Sequence, residues 1–288
     1  MKKLIVRLQN INFAKYIMWV VIALSLAVAV FFVVKGFDQS RFDVSFYELK
    51  SEKVSDNIRM VQLSDLHLVE FGENNSRLLS EVKKLQPDLI AVTGDLTVSG
   101  NSDHRAALEL LKNLKDIAPT YYSYGNHEYY DILFDEESKL RAEIKDTGVN
   151  VVNNSYETVT IKNTELSIGG FCAGPKNFYD NADTFMKKFE KAEEFKLLLT
   201  HHVEVFESVM EPYPVDLALT GHAHGGQIIV PFVGGIYAPD QGLFPELTQG
   251  MHTLCGSPVV ISRGLGSSHL IARFNNSPEI VVVDVNWY

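Results

Sequence analysis

The sequence predicts a mixed α/β domain behind a single membrane-crossing helix, on three observations. Short apolar runs that end in Gly, Ser, Thr, Asp or Asn alternate with helix-patterned segments through the first half of the chain. A polar-apolar alternation follows over residues 151–171, and an uncharged stretch from Tyr16 to Val34 precedes both. Strands covered on both faces read as short apolar runs, and half-exposed antiparallel strands read as alternation. Roughly 20 apolar residues are enough to span a bilayer.

The N-terminal segment comes first. Lys2, Lys3, Arg7 and Lys15 precede the apolar stretch without a single acid, so the positive-inside rule places the N-terminus in the cytoplasm and the remainder outside the cell membrane, as a single-pass protein. Ala27-Val28-Ala29 offers a competing small-residue cleavage site for a signal peptide. Because Val30 to Val34 stays apolar beyond it, the run is longer than a signal peptide needs and an uncleaved anchor is favoured. Residues 1–35 are read as cytoplasmic tail and anchor, 36–56 as a polar stalk, and 57–288 as one domain.

Within that domain Ile58 to Leu63 reads as a buried strand and Ser76 to Leu85 as a helix with Leu78, Leu79, Val82 and Leu85 inward, ended by Pro87. Leu89 to Val92 is the next strand, and His104 to Leu114 a second helix with Ala107, Leu108, Leu111 and Leu114 on one side. Tyr121 to Tyr122, Leu197 to Leu199 and Leu217 to Leu219 continue the strand series. Val151, Val159, Ile161, Leu166 and Ile168 mark antiparallel strands with a turn at Lys162 to Thr164. Val259 to Ser262 and Ile280 to Val285 close the chain as strands. The sum is two facing sheets with helices outside.

Composition narrows the function. At 288 residues, 46% hydrophobic and 22% charged, the chain fits one large domain plus an appendage. The net charge is −10, and residues 1–35 carry five bases and no acid, so the remainder carries −10 − 5 = −15. Such a domain has no basic surface for nucleic acid. Glu193-Glu194 and Asp135-Glu136-Glu137 read as solvated helix faces. Cys172 and Cys255 are too few for a disulfide framework, although an extracytoplasmic site would permit one bridge. Neither reads as catalytic.

The chemistry lies at the strand ends. Asp65-Leu-His67, Gly94-Asp95, Gly125-Asn126-His127-Glu128, Thr200-His201-His202 and Gly221-His222-Ala223-His224-Gly225-Gly226 each follow an apolar run. The carboxyl ends of neighbouring strands face one crevice, where residues far apart in sequence converge. Two divalent ions need a bridging carboxylate, other oxygen and imidazole donors, and open positions. The set lacks thiolate, unlike most structural zinc sites, and its mixed oxygen and nitrogen donors suit manganese, iron or zinc. Paired histidines between glycines make a poor core, so Gly221 to Gly226 is the strongest single segment. Glu128 either orients His127 or favours a helix start. His201 and His202 point to opposite faces of an extended segment, so only one enters the cleft, and position alone does not decide which.

In this order the motifs resemble the calcineurin-like metallophosphoesterase family over about residues 57–288. Gly225-Gly226-Gln227, Ser262-Arg263-Gly264-Leu265-Gly266, Arg273-Phe274-Asn275 and Pro278-Glu279-Ile280 resemble its bacterial membrane-associated branch, some of whose members hydrolyse UDP-2,3-diacylglucosamine. The resemblance implies a four-layer αββα sandwich of two mixed sheets. It also implies a division of two divalent ions: Asp65, His67, Asp95 and His224 on one, Asp95, Asn126, His201 and His222 on the other, with Asp95 bridging. His127 would contact the phosphoryl group and protonate the leaving oxygen. Val203 stands where the family usually has Pro, and Leu96-Thr97-Val98 where it often has another acid.

The expected reaction is hydrolysis of a phosphoester or pyrophosphate by metal-activated water. A membrane-tethered domain meets nucleotide-linked glycolipids and phospholipid-type molecules. Phe232, Tyr237, Leu243 and Phe244, among the Pro and Gly of residues 231–250, could touch an acyl chain or simply pack as a loop. The alternatives are a phosphodiesterase for nucleotides or cell-wall polymers, and a membrane-anchored metal-binding protein without turnover.

Overall fold

The computed structural model describes residues 2–38, 41–134, 139–172, 180–267 and 272–288. It divides into two compact units, Met1–Asp38 and Gln39–Tyr288. The acidic run Asp135-Glu136-Glu137 lies outside the described residues.

The first unit is one helix, α1 (Lys2–Gly36). Its Lys15–Gly36 portion has a mean hydropathy of 2.9, and its apolar side chains from Tyr16 to Val34 are exposed all round. An amphipathic core helix would hide one stripe; an evenly apolar surface is one that a bilayer covers.

The second unit begins with β1 (Asp43–Lys50) and β2 (Ile58–Leu63). Next come α2 (Ser76–Lys84), β3 (Leu89–Val92), α3 (Arg105–Lys115) and β4 (Thr120–Tyr122). Helices α4 (Asn126–Phe134) and α5 (Leu140–Asp146) lead to β5 (Asn150–Val151), β6 (Ser155–Ile161) and β7 (Thr164–Phe171). Helix α6 (Asp180–Phe189) precedes β8 (Phe195–Thr200) and β9 (Leu217–Thr220). Two small hairpins follow, β10 (Ile229–Val230) with β11 (Gly234–Gly235), then β12 (Tyr237–Ala238) with β13 (Gly242–Leu243). Strands β14 (Gly250–Leu254), β15 (Ser257–Ile261) and β16 (Glu279–Asn286) complete the chain.

Two six-stranded mixed sheets result, ordered β1-β16-β2-β3-β4-β5 and β14-β15-β9-β8-β7-β6. Strand parity explains how they stack. Met60, Leu89, Ala91, Tyr121 and Val281 of the first sheet meet Ile168, Leu197, Leu199, Leu217 and Val260 of the second in one buried cluster. On the opposite parity, Val61, Leu63, Ile90 and Val92 pack under α2, α3 and α5 through Leu78, Val82, Leu110, Leu111 and Ile144. Leu198, Ala218 and Val259 pack under α6 through Phe185, Met186 and Phe189. These are the four layers, helix, sheet, sheet and helix, with the central strands β2, β3, β8 and β9 buried on both faces.

The expected stalk over 36–56 is corrected at its centre. Residues 43–50 form β1, the edge strand of the first sheet, parallel to β16 with Val44 opposite Ile280 and Tyr47 opposite Val283. An edge strand keeps half its side chains in water, so Asp43-Val-Ser-Phe-Tyr-Glu-Leu-Lys50 reads as linker. Its partner lies more than 200 residues away in sequence. In α3 Ala107, Leu111 and Leu114 are buried as expected, and Leu110 joins them in place of the half-buried Leu108. Cys172 packs in the outer cluster of the first sheet, while Cys255 donates to the Phe206 carbonyl beside the third cluster. No disulfide joins them among the described residues.

Candidate metal centre

Five strands of the two sheets end at one cleft. Asp65 and His67 follow β2, Asp95 follows β3, Asn126 follows β4, His201 follows β8, and His222 and His224 follow β9. The backbone turns sharply there. Asp65, His67, Asp95, His222 and His224 all have positive φ, between 47° and 67°, a region costly for residues with a β-carbon and typical of functional sites that the surrounding fold over-determines. Gly94 and Gly125 let two of these turns touch: a β-carbon on Gly94 would overlap the Gly125 backbone, and one on Gly125 would overlap Asp95. Neither can be replaced without separating the loops.

Two side-chain groups share Asp95. In the first, Nε2 of His67 lies 3.2 Å from Nε2 of His224, and Asp65 Oδ1 is 3.5 Å from His224 and 3.9 Å from His67. In the second, Asp95 Oδ2 is 3.1 Å from His201 Nε2, which is 3.2 Å from His222 Nδ1. The same Oδ2 lies 3.9 Å from His67 Nε2, so one carboxylate oxygen faces both groups. Either group could hold an ion. Asn126 fits a second ion: its Oδ1 is buried and finds no hydrogen-bond donor among the described residues. Such an atom is costly unless something positive meets it.

The charges are arranged accordingly. Burial opposes ionisation of Asp65, but His224 and His201 outweigh it and hold the carboxyl below its usual range. Burial opposes ionisation of Asp95 too, and His201, His127 and His67 hold it well below. Burial pushes His67 down to about 4 against the pull of Asp95 and Asp65, and pushes His224 and His202 well below the ordinary histidine value. His201 goes the other way: Asp95 and Asp65 overcome its burial and raise it to about 10. Burial pushes the Cys172 thiol well up, so it stays protonated.

His201 is the histidine that enters the cleft. His202 packs against the His222 ring, tilted by 46° at 4.1 Å between centroids, and groups with His222 and Asp240. His127 stands at the rim with Nε2 3.9 Å from Asp95 Oδ2. The Ser99 backbone N–H donates to its Nδ1 at 2.9 Å, which leaves the proton of the neutral ring on Nε2, the cleft side. Glu128 does not orient His127. Its carboxylate accepts the backbone N–H groups of Asp95 and Thr97, joining the Asp95 turn to its own helix.

Sequence reading missed Ser99 and Asp240, which approach from loops that carry no motif. Asp240 Oδ2 is 3.1 Å from His222 Nε2. Arg273, in the late motif, supports His224. Its guanidinium donates to the Gly266 carbonyl at 2.7 Å and lies 3.4 Å from His224 Nδ1. Beside it, Asn276 Nδ2 donates to the His224 carbonyl at 2.7 Å.

Residues 58–226, more than half of the chain, match the family described as calcineurin-like phosphoesterase. The chain belongs to that family. As a calcineurin-like phosphoesterase it is a metal-dependent phosphoester hydrolase with a metal-binding site. It is 29% identical over 232 residues to "Uncharacterized metallophosphoesterase YkuE" of Bacillus subtilis (strain 168), covering 79% of this chain and 78% of that protein. It is 27% identical over 239 residues to "Phosphodiesterase YaeI" of Escherichia coli (strain K12), covering 79% and 82%. It is also 28% identical over 231 residues to a Danio rerio protein named "Transmembrane protein with metallophosphoesterase domain", covering 70% and 51%.

Proposed function

We propose that this metallophosphoesterase hydrolyses a phosphoester or pyrophosphate bond in an amphipathic substrate at the outer surface of the cell membrane, a nucleotide-linked glycolipid or phospholipid-type molecule. Asp65, His67, Asp95 and His224 would hold one divalent ion, and Asp95, Asn126, His201 and His222 the other, drawn from manganese, iron or zinc. The observation that carries this is Asp95 Oδ2, which faces His201 at 3.1 Å and His67 at 3.9 Å. When bound, two such ions supply Lewis acidity that neutralises phosphoryl charge and makes water nucleophilic near neutral pH. His127 would direct its Nε2–H at the phosphoryl group and the leaving oxygen, where a positioned proton donor is typically worth about 100- to 10,000-fold.

The two hairpins support an apolar part in the substrate. They bring Asp240 to His222 and leave Val233, Leu243 and Phe244 more than half exposed, with Phe232 fully so. Exposed apolar groups beside a polar cleft mark a site for a ligand with both characters. The outward orientation is supported by α1 and the bases before its apolar stretch. A second reading, a phosphodiesterase for nucleotides or wall polymers, draws on the similarity to YaeI.

The test is hydrolysis by the detergent-solubilised chain, loaded with Mn, Fe or Zn, with and without chelator. Phosphomonoesters, diesters and pyrophosphates are compared in acylated and non-acylated pairs. Chelator-sensitive turnover with at least tenfold higher kcat/KM for acylated members is expected. Equal values across the pairs would discard the lipid reading in favour of the second.

A further inference from the structure

We infer that Asp240 is a positioning residue for His222: its carboxylate accepts the His222 Nε2–H and so reserves the Nδ1 lone pair for a cation. The inference rests on the proposed role of His222 as a ligand.

The two nitrogens of His222 face different partners. Nδ1 lies 3.2 Å from His201 Nε2, on the side of Asp95. Nε2 lies 3.1 Å from Asp240 Oδ2. A neutral imidazole has one N–H and one lone pair, and a carboxylate can only accept, so the hydrogen sits on Nε2 and the lone pair on Nδ1. His201 uses the same device with a different acceptor. Its Nδ1 donates to the Thr93 carbonyl at 2.7 Å, which turns Nε2 towards Asp95. One imidazole of the second group is therefore aimed by a carbonyl, the other by a carboxylate, whose charge also makes the ring a stronger donor.

The placement of Asp240 is built into the hairpins. Ile236 N–H donates to the Gly226 carbonyl at 3.1 Å, and a β-carbon on Gly226 would overlap Gly235, so the hairpin root is pressed against the segment just after His224. Ala238 is fully buried in the third cluster. Asp240 takes φ +60°, a conformation Asp tolerates better than most residues. The next side chain anchors the turn: Gln241 Nε2 donates to Glu204 Oε1 at 2.8 Å and to the Leu247 carbonyl at 2.9 Å, and its Oε1 accepts the Leu247 N–H at 3.1 Å. The Asp240 side chain is 42% exposed, so the contact adds little to fold stability and its effect belongs in metal affinity.

The rival is that Asp240 is itself a ligand, since it also groups with His202 and His222. Full-length protein in detergent, stripped of metal and titrated with Co(II) against a chromophoric chelator, separates the two. Asp240→Ala should weaken one of two ions by about 10- to 100-fold and leave the other unchanged, the range seen when a ligand loses its hydrogen-bonded support. Asp240→Asn, whose amide oxygen accepts the same N–H, should recover most of that loss. Gln241→Ala, which loosens the turn and keeps the carboxylate, should weaken the same ion by less than Asp240→Ala does. Wild-type affinities in Asp240→Ala, an equal loss in Asn and Ala variants, or an equal loss in Gln241→Ala would each overturn the inference. Two ions retained by His222→Ala would instead overturn the ligand assignment beneath it.

Discussion

Glu128 holds Asp95 by its backbone. The N–H of Asp95 donates to Glu128 Oε2 at 2.8 Å, and that oxygen also accepts the N–H of Gly125 at 2.9 Å. Oε1 accepts the N–H of Thr97 at 2.9 Å and its hydroxyl at 3.0 Å. One fully buried carboxylate thus clamps the turn after β3 to the turn after β4, the two that present Asp95 and Asn126. Thr97, in the stretch where the family often has an acid, serves that clamp.

Glu128→Gln replaces one acceptor oxygen by an NH2 group, so at least one buried N–H loses its partner. The expected cost is about 1–3 kcal/mol, with weaker retention of both ions. Urea unfolding of stripped protein and metal retention against a chelator measure the two effects. An unchanged midpoint with unchanged retention would contradict the clamp.

Asp95→Asn should remove more activity than any other single change among the proposed ligands, because one Asp95 oxygen faces both groups and meets His201 at 3.1 Å, closer than the 3.7 Å of Asp65. Turnover at saturating metal is the measurement, and a variant of wild-type activity would remove the bridging role.

His127→Ala should keep nearly the full metal content and lose about 100-fold or more in turnover. The deficit should shrink for nitrophenyl esters, whose leaving group needs little protonation. Loss of metal would make His127 a ligand or support; an equal deficit for good and poor leaving groups would make it a charge stabiliser.

Metal loading should release protons. In stripped protein His201 keeps its proton up to a pKa of about 10, while His67, His202 and His224 are already neutral and Asp65 and Asp95 already ionised at pH 8. About one proton per chain should leave His201 at pH 8, read with an indicator dye in weak buffer. No release would contradict the raised value.

The stability of stripped protein follows by linkage. The raised pKa of His201 stabilises the fold below about 6.5, and this is lost as pH rises towards about 10. The lowered values of His67, His202 and His224 act oppositely: below about 6.5 the unfolded chain takes up protons that the fold refuses, so stability falls with falling pH, for His67 down to about 4. Substituting His201 by Gln should therefore flatten the alkaline limb and leave the acid limb. A melting series from pH 5 to 10 checks this.

By itself the sequence determined the strand-and-helix order and the residue types at the strand ends. Apolar runs, turn residues and ligand side chains are local properties, and seven candidate ligands plus His127 are named by them. Tertiary structure decided which side chains meet. Both faces of β8 are apolar, so sequence could not say which parity faced the other sheet. In the fold Phe195, Leu197 and Leu199 face inward, and His201 continues that parity into the cleft while His202 does not. The sheet role of β1, the clamp by Glu128 and the approach of Asp240 to His222 were hidden for one shared reason. Each is a contact between distant segments, made by an ordinary polar residue or a half-exposed strand, and nothing in its own neighbourhood signals the partner.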